Sequence, residues 1–246
     1  MLDCLCCKRS DGPFTSREHV VPESLGNMGH GGKEPILLPR GVVCDPCNNG
    51  PLSRLDQALI DFDFVSMVKT LYGVPSKTGK RPRTIFGNNA SLTNFAEGHV
   101  LFESNNWNAW ISHGDGRATW NLMSKRPVDS AYRRQLARAL YKMTLGCMFM
   151  GQPKVALSPR FDPVRRMILG KEAFHGYVTL VFRAWEPTKE DWRSGLQYDF
   201  HDKPGLGPTV WTRFDFIKIS LFTDLEKRKP QKPMLYRGDA AIIFDF

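Results

Sequence analysis

Cys4-Leu5-Cys6-Cys7, Ser16-Arg17-Glu18-His19-Val20-Val21-Pro22 and Cys44-Asp45-Pro46-Cys47-Asn48-Asn49-Gly50 decide the reading of this 246-residue chain. Two Cys-x-x-Cys pairs stand on either side of a Glu-His dipeptide. They supply four soft thiolates, the ligand set of a closed tetrahedral zinc site. Such a site has no open coordination position, so its metal pins loops together and does no chemistry. The candidates for chemistry are the acid, the imidazole and the amide it gathers: Glu18, His19 and Asn48.

Around this stretch the composition is globular. Hydrophobic residues make up 41%, and 16 Phe and 6 Trp allow a core. No run of about eighteen apolar residues occurs, so no membrane span is expected. The opening Met1-Leu2-Asp3-Cys4 lacks the basic and apolar regions of a signal peptide. Five of the six cysteines crowd into the zinc-like region, which argues against a secreted disulfide scaffold. A reducing cytoplasm is the expected location.

The net charge of +9 is unevenly spread. Residues 1–60 hold six Lys/Arg and seven Asp/Glu, a balance of −1 that leaves +10 for the other 186 residues. Metal-bound thiolates make the first segment more negative still. A polyanion would therefore be held by the later part, where Lys/Arg can displace counterions from phosphates. Lys77 to Arg83, Arg133-Arg134, Arg165-Arg166 and Lys227 to Lys232 are the basic clusters; each, taken singly, is equally a solvated face.

Residues 1–50 are rich in turn formers, with Ile36-Leu37-Leu38 as the expected short strand. Pro51 suits the first position of a helix, and Leu52, Leu55, Leu59, Phe62, Val65, Val68 and Leu71 continue at helical spacing. Asn48 and Asn49 then lie at a helix mouth, where Asn49 is the expected cap and Asn48 could satisfy backbone N–H groups instead of doing chemistry. Gly73 to Pro82 is a turn-rich basic link and marks a boundary between residues 1–73 and 74–246. Beyond it, three short strands are expected at His99 to Glu103, Trp107 to Ser112 and Arg117 to Leu122. A helix follows from Asp129 to about Met150, with Leu136, Leu140, Met143 and Cys147 on one face. Strands then follow at Tyr177 to Trp185, Val210 to Phe222 (a central strand) and Ala240 to Phe246. The expected class is α+β: a zinc-knuckle module, then a larger mixed domain with an antiparallel sheet. Asp56, about two turns into the helix, is expected on the surface, with a place just behind the ligands of a catalytic ion as the alternative. His30 is expected on an exposed loop, and Trp192 is the one tryptophan in a polar stretch.

Adjacent residues of an extended segment point to opposite sides, so Glu18 and His19 suit different tasks. Glu18 and the side-chain carbonyl of Asn48 are hard oxygen ligands adequate for Mg²⁺ or Mn²⁺. His19, whose type titrates near neutrality, can take a proton from an attacking water. Together they describe one-metal phosphodiester hydrolysis.

The pattern Cys-x-x-Cys, Glu-His-x-x-Pro, Cys-x-x-Cys-Asn resembles the zinc-knuckle branch of the HNH endonuclease family, over about residues 1–60. The resemblance implies a ββα-metal fold in which two strands and a helix surround one catalytic divalent ion. It implies His19 as general base, Glu18 and Asn48 as ligands of the Mg²⁺ or Mn²⁺ ion, and Cys4, Cys7, Cys44 and Cys47 as zinc ligands. Cys6 stands as an alternative to Cys4 or Cys7. Many family members carry an Asn or His about five residues before the third cysteine; here Leu38 to Val43 contains neither. Arg40 contacting phosphate, or a backbone carbonyl orienting His19, are the two substitutes.

Two functions are therefore expected. One is a metal-dependent nuclease acting on double-stranded DNA in restriction, phage defence or a mobile element, with Arg40, Lys80, Arg81 and Arg83 touching substrate and a homodimer or an activating partner as further options. The alternative is a catalytically inactive, zinc-stabilised nucleic-acid-binding protein.

Overall fold

A computed structural model describes residues 3–25, 27, 35–76, 78–87, 89–96, 99–105, 111–114, 117–120, 129–173, 177–182, 196–203, 209–216, 219–225 and 240–245. His30, Trp192 and the basic cluster at 227–232 lie outside them. Within them the chain is a mixture of helix and antiparallel sheet, as the pattern of elements led one to expect.

The first long-range pairing is an antiparallel bridge between His19 and Leu37. Val20 N donates to Ile36 O (3.0 Å) and Leu38 N to Glu18 O (2.9 Å). Asn27, almost fully buried, stitches these two short extended segments together. Its Nδ2 donates to Val21 O (2.7 Å) and Ile36 O (3.1 Å), and its Oδ1 accepts from Ile36 N (2.6 Å). A single helical turn, α1 (Asp45–Cys47), opens the second knuckle. The chain then winds wide over Asn48–Leu52, because Gly50 (φ −107°, ψ −105°) leaves the helical region and Pro51 has no N–H to give. Helix α2 (Ser53–Ile60) and helix α3 (Asp63–Leu71) follow.

The helical spacing from Leu52 to Leu71 is therefore not one helix. Phe62 takes an extended ψ of 121° and divides it. Its ring is buried, edge-on to Tyr132 with centroids 6.2 Å apart, while Tyr132 Oη donates to Ala58 O (3.1 Å). The break turns α3 toward strands β1 (Arg83–Ile85) and β2 (Ala90–Ala96). There the Thr84 hydroxyl meets those of Ser66 (2.9 Å) and Thr70 (2.8 Å). With β3 (His99–Ser104) these strands make a sheet in the order β1-β2-β3.

The three-strand meander expected between 99 and 122 is corrected on two counts. His99–Ser104 pairs backward with Ala90–Ala96, a strand whose Ser, Thr and Asn content hid it. Among the described residues the strands β4 (Ile111–Gly114) and β5 (Arg117–Trp120) pair only with each other. The apolar run from Val210 to Phe222 is likewise not one strand. It is β8 (Thr209–Phe216) followed by β9 (Ile219–Asp224), paired antiparallel with Phe216 opposite Ile219. A dense apolar run does not distinguish one long strand from two that turn back on each other. The five-stranded antiparallel sheet has the order β10-β6-β9-β8-β7, with β6 (Tyr177–Phe182), β7 (Leu196–Lys203) and β10 (Ala240–Asp245) completing it. Strand β7 was not expected from the sequence, although Leu196, Tyr198 and Phe200 alternate with polar residues along it.

Helix α4 (Ser130–Gly151) is the hub. Asp129 caps it, accepting from Tyr132 N (2.8 Å), as Asp before a helical run should. The sequence shows one apolar face; the helix is buried on every side from Ala139 to Phe149. It packs against α2, against β9, β6 and β7 of the large sheet, and against the short helices α5 (Pro153–Ala156) and α6 (Asp162–Ile168). Cys147 sits within it as a core residue. One continuous core runs from Cys4 and Val20 through Leu52 and Leu59 to Leu140, Met148 and Ile168, so it draws on residues from both sides of Gly73. No helix among the described residues is long and apolar enough to cross a membrane.

Gly146 sets how near α4 comes to the Glu18–Val20 segment. A Cβ there would stand 3.2 Å from both methyl groups of Val20. Gly146→Val, whose methyls would enter the Val20 site, is expected to lower stability by about 1–3 kcal/mol as an overpacked core position. Thermal or urea unfolding beside the wild type measures this, and an unchanged transition would show that the contact is slack.

Candidate metal centre and the Glu18–His19 site

The first knuckle is a tight turn. Lys8 N donates to Cys4 O (3.0 Å) and Cys4 N to Arg9 O (2.9 Å), with Lys8 at a left-handed φ of 61°. Leu5 N reaches Val42 O (2.8 Å), laying this knuckle beside the second. Cys44 N then donates to Cys4 Sγ (3.4 Å), and Cys7 Sγ lies 3.6 Å from Cys44 Sγ. The four Sγ atoms of Cys4, Cys7, Cys44 and Cys47 all lie within 4.8 Å of one another. Metal–sulfur bonds of about 2.3 Å in a tetrahedron give edges of about 3.8 Å, so the cluster has the size to hold one metal ion. Cys6 is buried but outside the cluster, and burial pushes its thiol up. The choice left open between Cys6 and its neighbours is thereby settled for Cys4 and Cys7.

The second knuckle also grips the chain just before Glu18. Asp45 Oδ1 accepts from the backbone N–H of Thr15 (3.0 Å) and Ser16 (2.9 Å) and from Ser16 Oγ (2.6 Å), and Oδ2 accepts from Thr15 Oγ1 (2.6 Å). These bonds, the Ser16 hydroxyl first, hold the Asp45 carboxyl well below the usual carboxylate range. Asn48 Nδ2 donates to Ser16 Oγ (2.9 Å) and to Arg17 O (3.1 Å). Neither Asn48 nor the expected cap Asn49 caps a helix N-terminus: Asn48 ends α1, and neither α1 nor α2 has a side-chain cap. Its amide N–H groups hold the Ser16–Arg17 segment, and among the described residues nothing donates to its Oδ1.

Glu18, His19 and Val20 alternate as an extended segment requires, with Glu18 and Val20 buried and His19 partly open. Glu18 does not reach solvent. Its Oε1 forms an ion pair with Lys142 Nζ, which projects from the middle of α4 and is itself only 3% exposed. Lys142 Nζ also donates to both carboxylate oxygens of Asp56, at 2.6 and 2.7 Å. Burial raises Glu18 to about 6 in spite of the Lys142 charge, with Asp56 adding to the rise. Burial raises Asp56 as well, opposed by Lys142 and by the nearby His19. Burial would lower the Lys142 ammonium, but Asp56 and Glu18 outweigh it and hold it above the ordinary lysine value. Asp56 is therefore not the surface carboxylate its position in an amphipathic helix suggested. It links Lys142 to the surroundings of His19.

Asn48 and the second knuckle thus grip the backbone immediately before Glu18 and His19. The basic candidates do not join them. Arg40, Lys80 and Arg81 are exposed, and Arg83 lies along β1 near Ser91 Oγ (3.2 Å) and Glu103 (3.9 Å). Arg165 belongs to no basic surface. It is fully buried, donating from Nε to Leu5 O (2.7 Å), from Nη1 to Ser158 O (3.0 Å) and Asp162 Oδ1 (2.6 Å), and from Nη2 to Ala156 O. With Lys8 Nζ donating to Leu157 O (2.6 Å), it bolts the first knuckle to the α5–α6 region.

Sequence reasoning missed Lys142, Asp45 and Arg165. Lys142 carried a signal: it is the single charge in the run from Ala139 to Phe149, and a lysine inside a buried helix demands a counter-charge. Asp45 and Arg165 carried none, because Asp45 meets the backbone and hydroxyls of Thr15 and Ser16 some thirty residues back and Arg165 meets mainly backbone carbonyls, among them that of distant Leu5. The chain matches no protein-family model, no curated protein and no solved structure.

The purified protein is expected to carry one metal ion per chain. Cys6→Ala should retain it, whereas Cys7→Ser and Cys44→Ser should lose it together with cooperative unfolding. Elemental analysis by plasma mass spectrometry decides, and metal lost from Cys6→Ala but kept by Cys7→Ser would overturn the ligand set.

Proposed function

We propose that this chain is a metal-dependent HNH endonuclease that hydrolyses phosphodiester bonds, with double-stranded DNA as the default substrate. One observation carries the reading. The antiparallel pair bearing Glu18–His19 is clamped by Asn48 and Asp45 to a four-cysteine centre, and a helix follows directly. Two extended segments joined by a single bridge, then a helix, are in keeping with the strand–strand–helix order that the resemblance to the HNH family implies, although neither segment forms a regular strand. The metal of the four thiolates is taken to be zinc, held for structure alone.

His19, partly open at the surface of the strand, takes the proton of the attacking water. Asn48 Oδ1 and the Glu18 oxygen outside the Lys142 ion pair would be the protein ligands for Mg²⁺ or Mn²⁺. When bound, that ion supplies Lewis-acid stabilisation of the phosphate and the leaving oxygen. Exposed Lys80, Arg81, Arg83 and Arg40 offer charge to the phosphate backbone, in keeping with the +10 outside residues 1–60. One such site cuts one strand per event, so double-strand cleavage would take a homodimer, sequential nicks or an activating partner. A cytoplasmic role in restriction, phage defence or a mobile element follows from this chemistry.

A second reading, an inactive zinc-stabilised nucleic-acid-binding protein, is favoured by one feature: Lys142 already neutralises much of the charge of Glu18 and Asp56.

Plasmid DNA incubated with the protein and Mg²⁺ or Mn²⁺ is expected to be nicked or linearised, and EDTA to stop the reaction. His19→Ala should lose about 10²–10⁴-fold in rate while still binding the plasmid. Full cleavage by His19→Ala would remove the general base from the proposal. A wild type that binds in a salt-sensitive manner yet never cuts would establish the second reading.

A further inference from the structure

The chemistry assigned to His19, Asn48 and Glu18 leaves Lys142 and Asp56 without a task, although they form the most deeply buried charge cluster among the described residues. Lys142 Nζ lies against Glu18 Oε1 and within 2.7 Å of both Asp56 oxygens. These three oxygens are the hard donors that a divalent cation seeks. The lysine stem leaves the interior of α4 one turn before Gly146, where the helix backbone is packed against Val20. The ammonium therefore has no route out that leaves α4 docked. Two carboxylates around one ammonium carry a residual −1, enough to attract a cation but far less than the −2 of the bare pair.

We infer that Lys142 is a positioning residue of the proposed nuclease site: it holds Glu18 and Asp56 inward and keeps the divalent ion off that pair. The ion is then offered only what Lys142 leaves of Glu18, together with Asn48. A residue more than a hundred positions along the chain thereby sets both the affinity and the place of the metal beside His19. The inference rests on the nuclease reading for what the ion does, but its test does not require cleavage.

The experiment titrates Mn²⁺ into the zinc-loaded wild type and Lys142→Met by calorimetry, and follows plasmid cleavage against Mn²⁺ in the same preparations. Lys142→Met is expected to bind Mn²⁺ tighter by about tenfold or more, the scale set by removing one unit charge in contact with two carboxylates. Its maximal cleavage rate should fall by about tenfold or more, because the ion is drawn to the freed pair. Adding Glu18→Gln should abolish the gain in affinity, and Lys142→Arg, which keeps the charge, should bind like the wild type. A lysine with a structural role alone predicts the reverse, a loosened site that binds Mn²⁺ no better. Equal or weaker Mn²⁺ binding by Lys142→Met therefore overturns the inference. If Lys142→Met does not accumulate as folded zinc protein, Lys142→Gln keeps a donor toward the carboxylates and carries the same expected tightening. If the wild type cuts nothing, the nuclease reading fails, while the affinity change still decides the role of Lys142.

Discussion

A lysine ammonium sealed between two carboxylates ties together three distant parts of this chain. Glu18 lies on the extended segment bridged to Leu37, Asp56 on α2 and Lys142 on α4. Removing one partner of a buried pair costs about 3–5 kcal/mol, because the other charge stays behind without compensation. The cluster therefore tolerates one arrangement of strand and helices and penalises its neighbours. Gly146 reinforces this, since it lies four residues after Lys142 on the same face of α4 and lets the helix backbone approach Val20. Slide α4 by one residue and the ammonium would face apolar core while Val20 met a side chain.

Around that anchor, the two knuckles act as clamps of different kinds. The second works through hydrogen bonds to the chain some thirty residues back: Asp45 and Asn48 hold Thr15, Ser16 and Arg17, so that Glu18 and His19 emerge from a backbone that is already fixed. The first works through distant carbonyls, with Arg165 and Lys8 bonding across to Leu5, Ala156, Ser158 and Leu157. A metal at the four thiolates would join the two clamps. Metal binding, strand geometry and docking of α4 are then parts of a single cooperative unit, and the knuckle segment is no freestanding appendage.

Much of the candidate site was legible because its signals are local. Spacing within each Cys-x-x-Cys places two thiols on one turn, alternation at Glu18-His19-Val20 separates buried from open side chains, and Asp129 announces the start of α4. The failures are also physical. Helical spacing from Leu52 to Leu71 continued through Phe62, since a kink that preserves the apolar period leaves no mark on it. Strand β2 scatters Ser, Thr and Asn among its apolar residues and is recognised only beside His99–Ser104, whereas β7, paired with Thr209–Phe216, carried a missed signal in its alternating Leu196, Tyr198 and Phe200. The basic pair Arg165-Arg166 looked like surface because charge alone does not reveal that the first arginine is buried under backbone carbonyls while the second pairs with Glu172.

The sequence by itself determined the two Cys-x-x-Cys turns, the alternation of buried and open side chains at Glu18-His19-Val20, the mixed helical and antiparallel class and the capped central helix. Each follows from residues within a turn or a strand of one another. Only the tertiary structure decided that Cys6 stands outside the cluster, that Asn48 secures the strand instead of capping a helix, and that Glu18 faces Lys142 and Asp56. Those outcomes depend on which distant group a buried donor or charge meets, and burial makes the meeting obligatory without naming the partner.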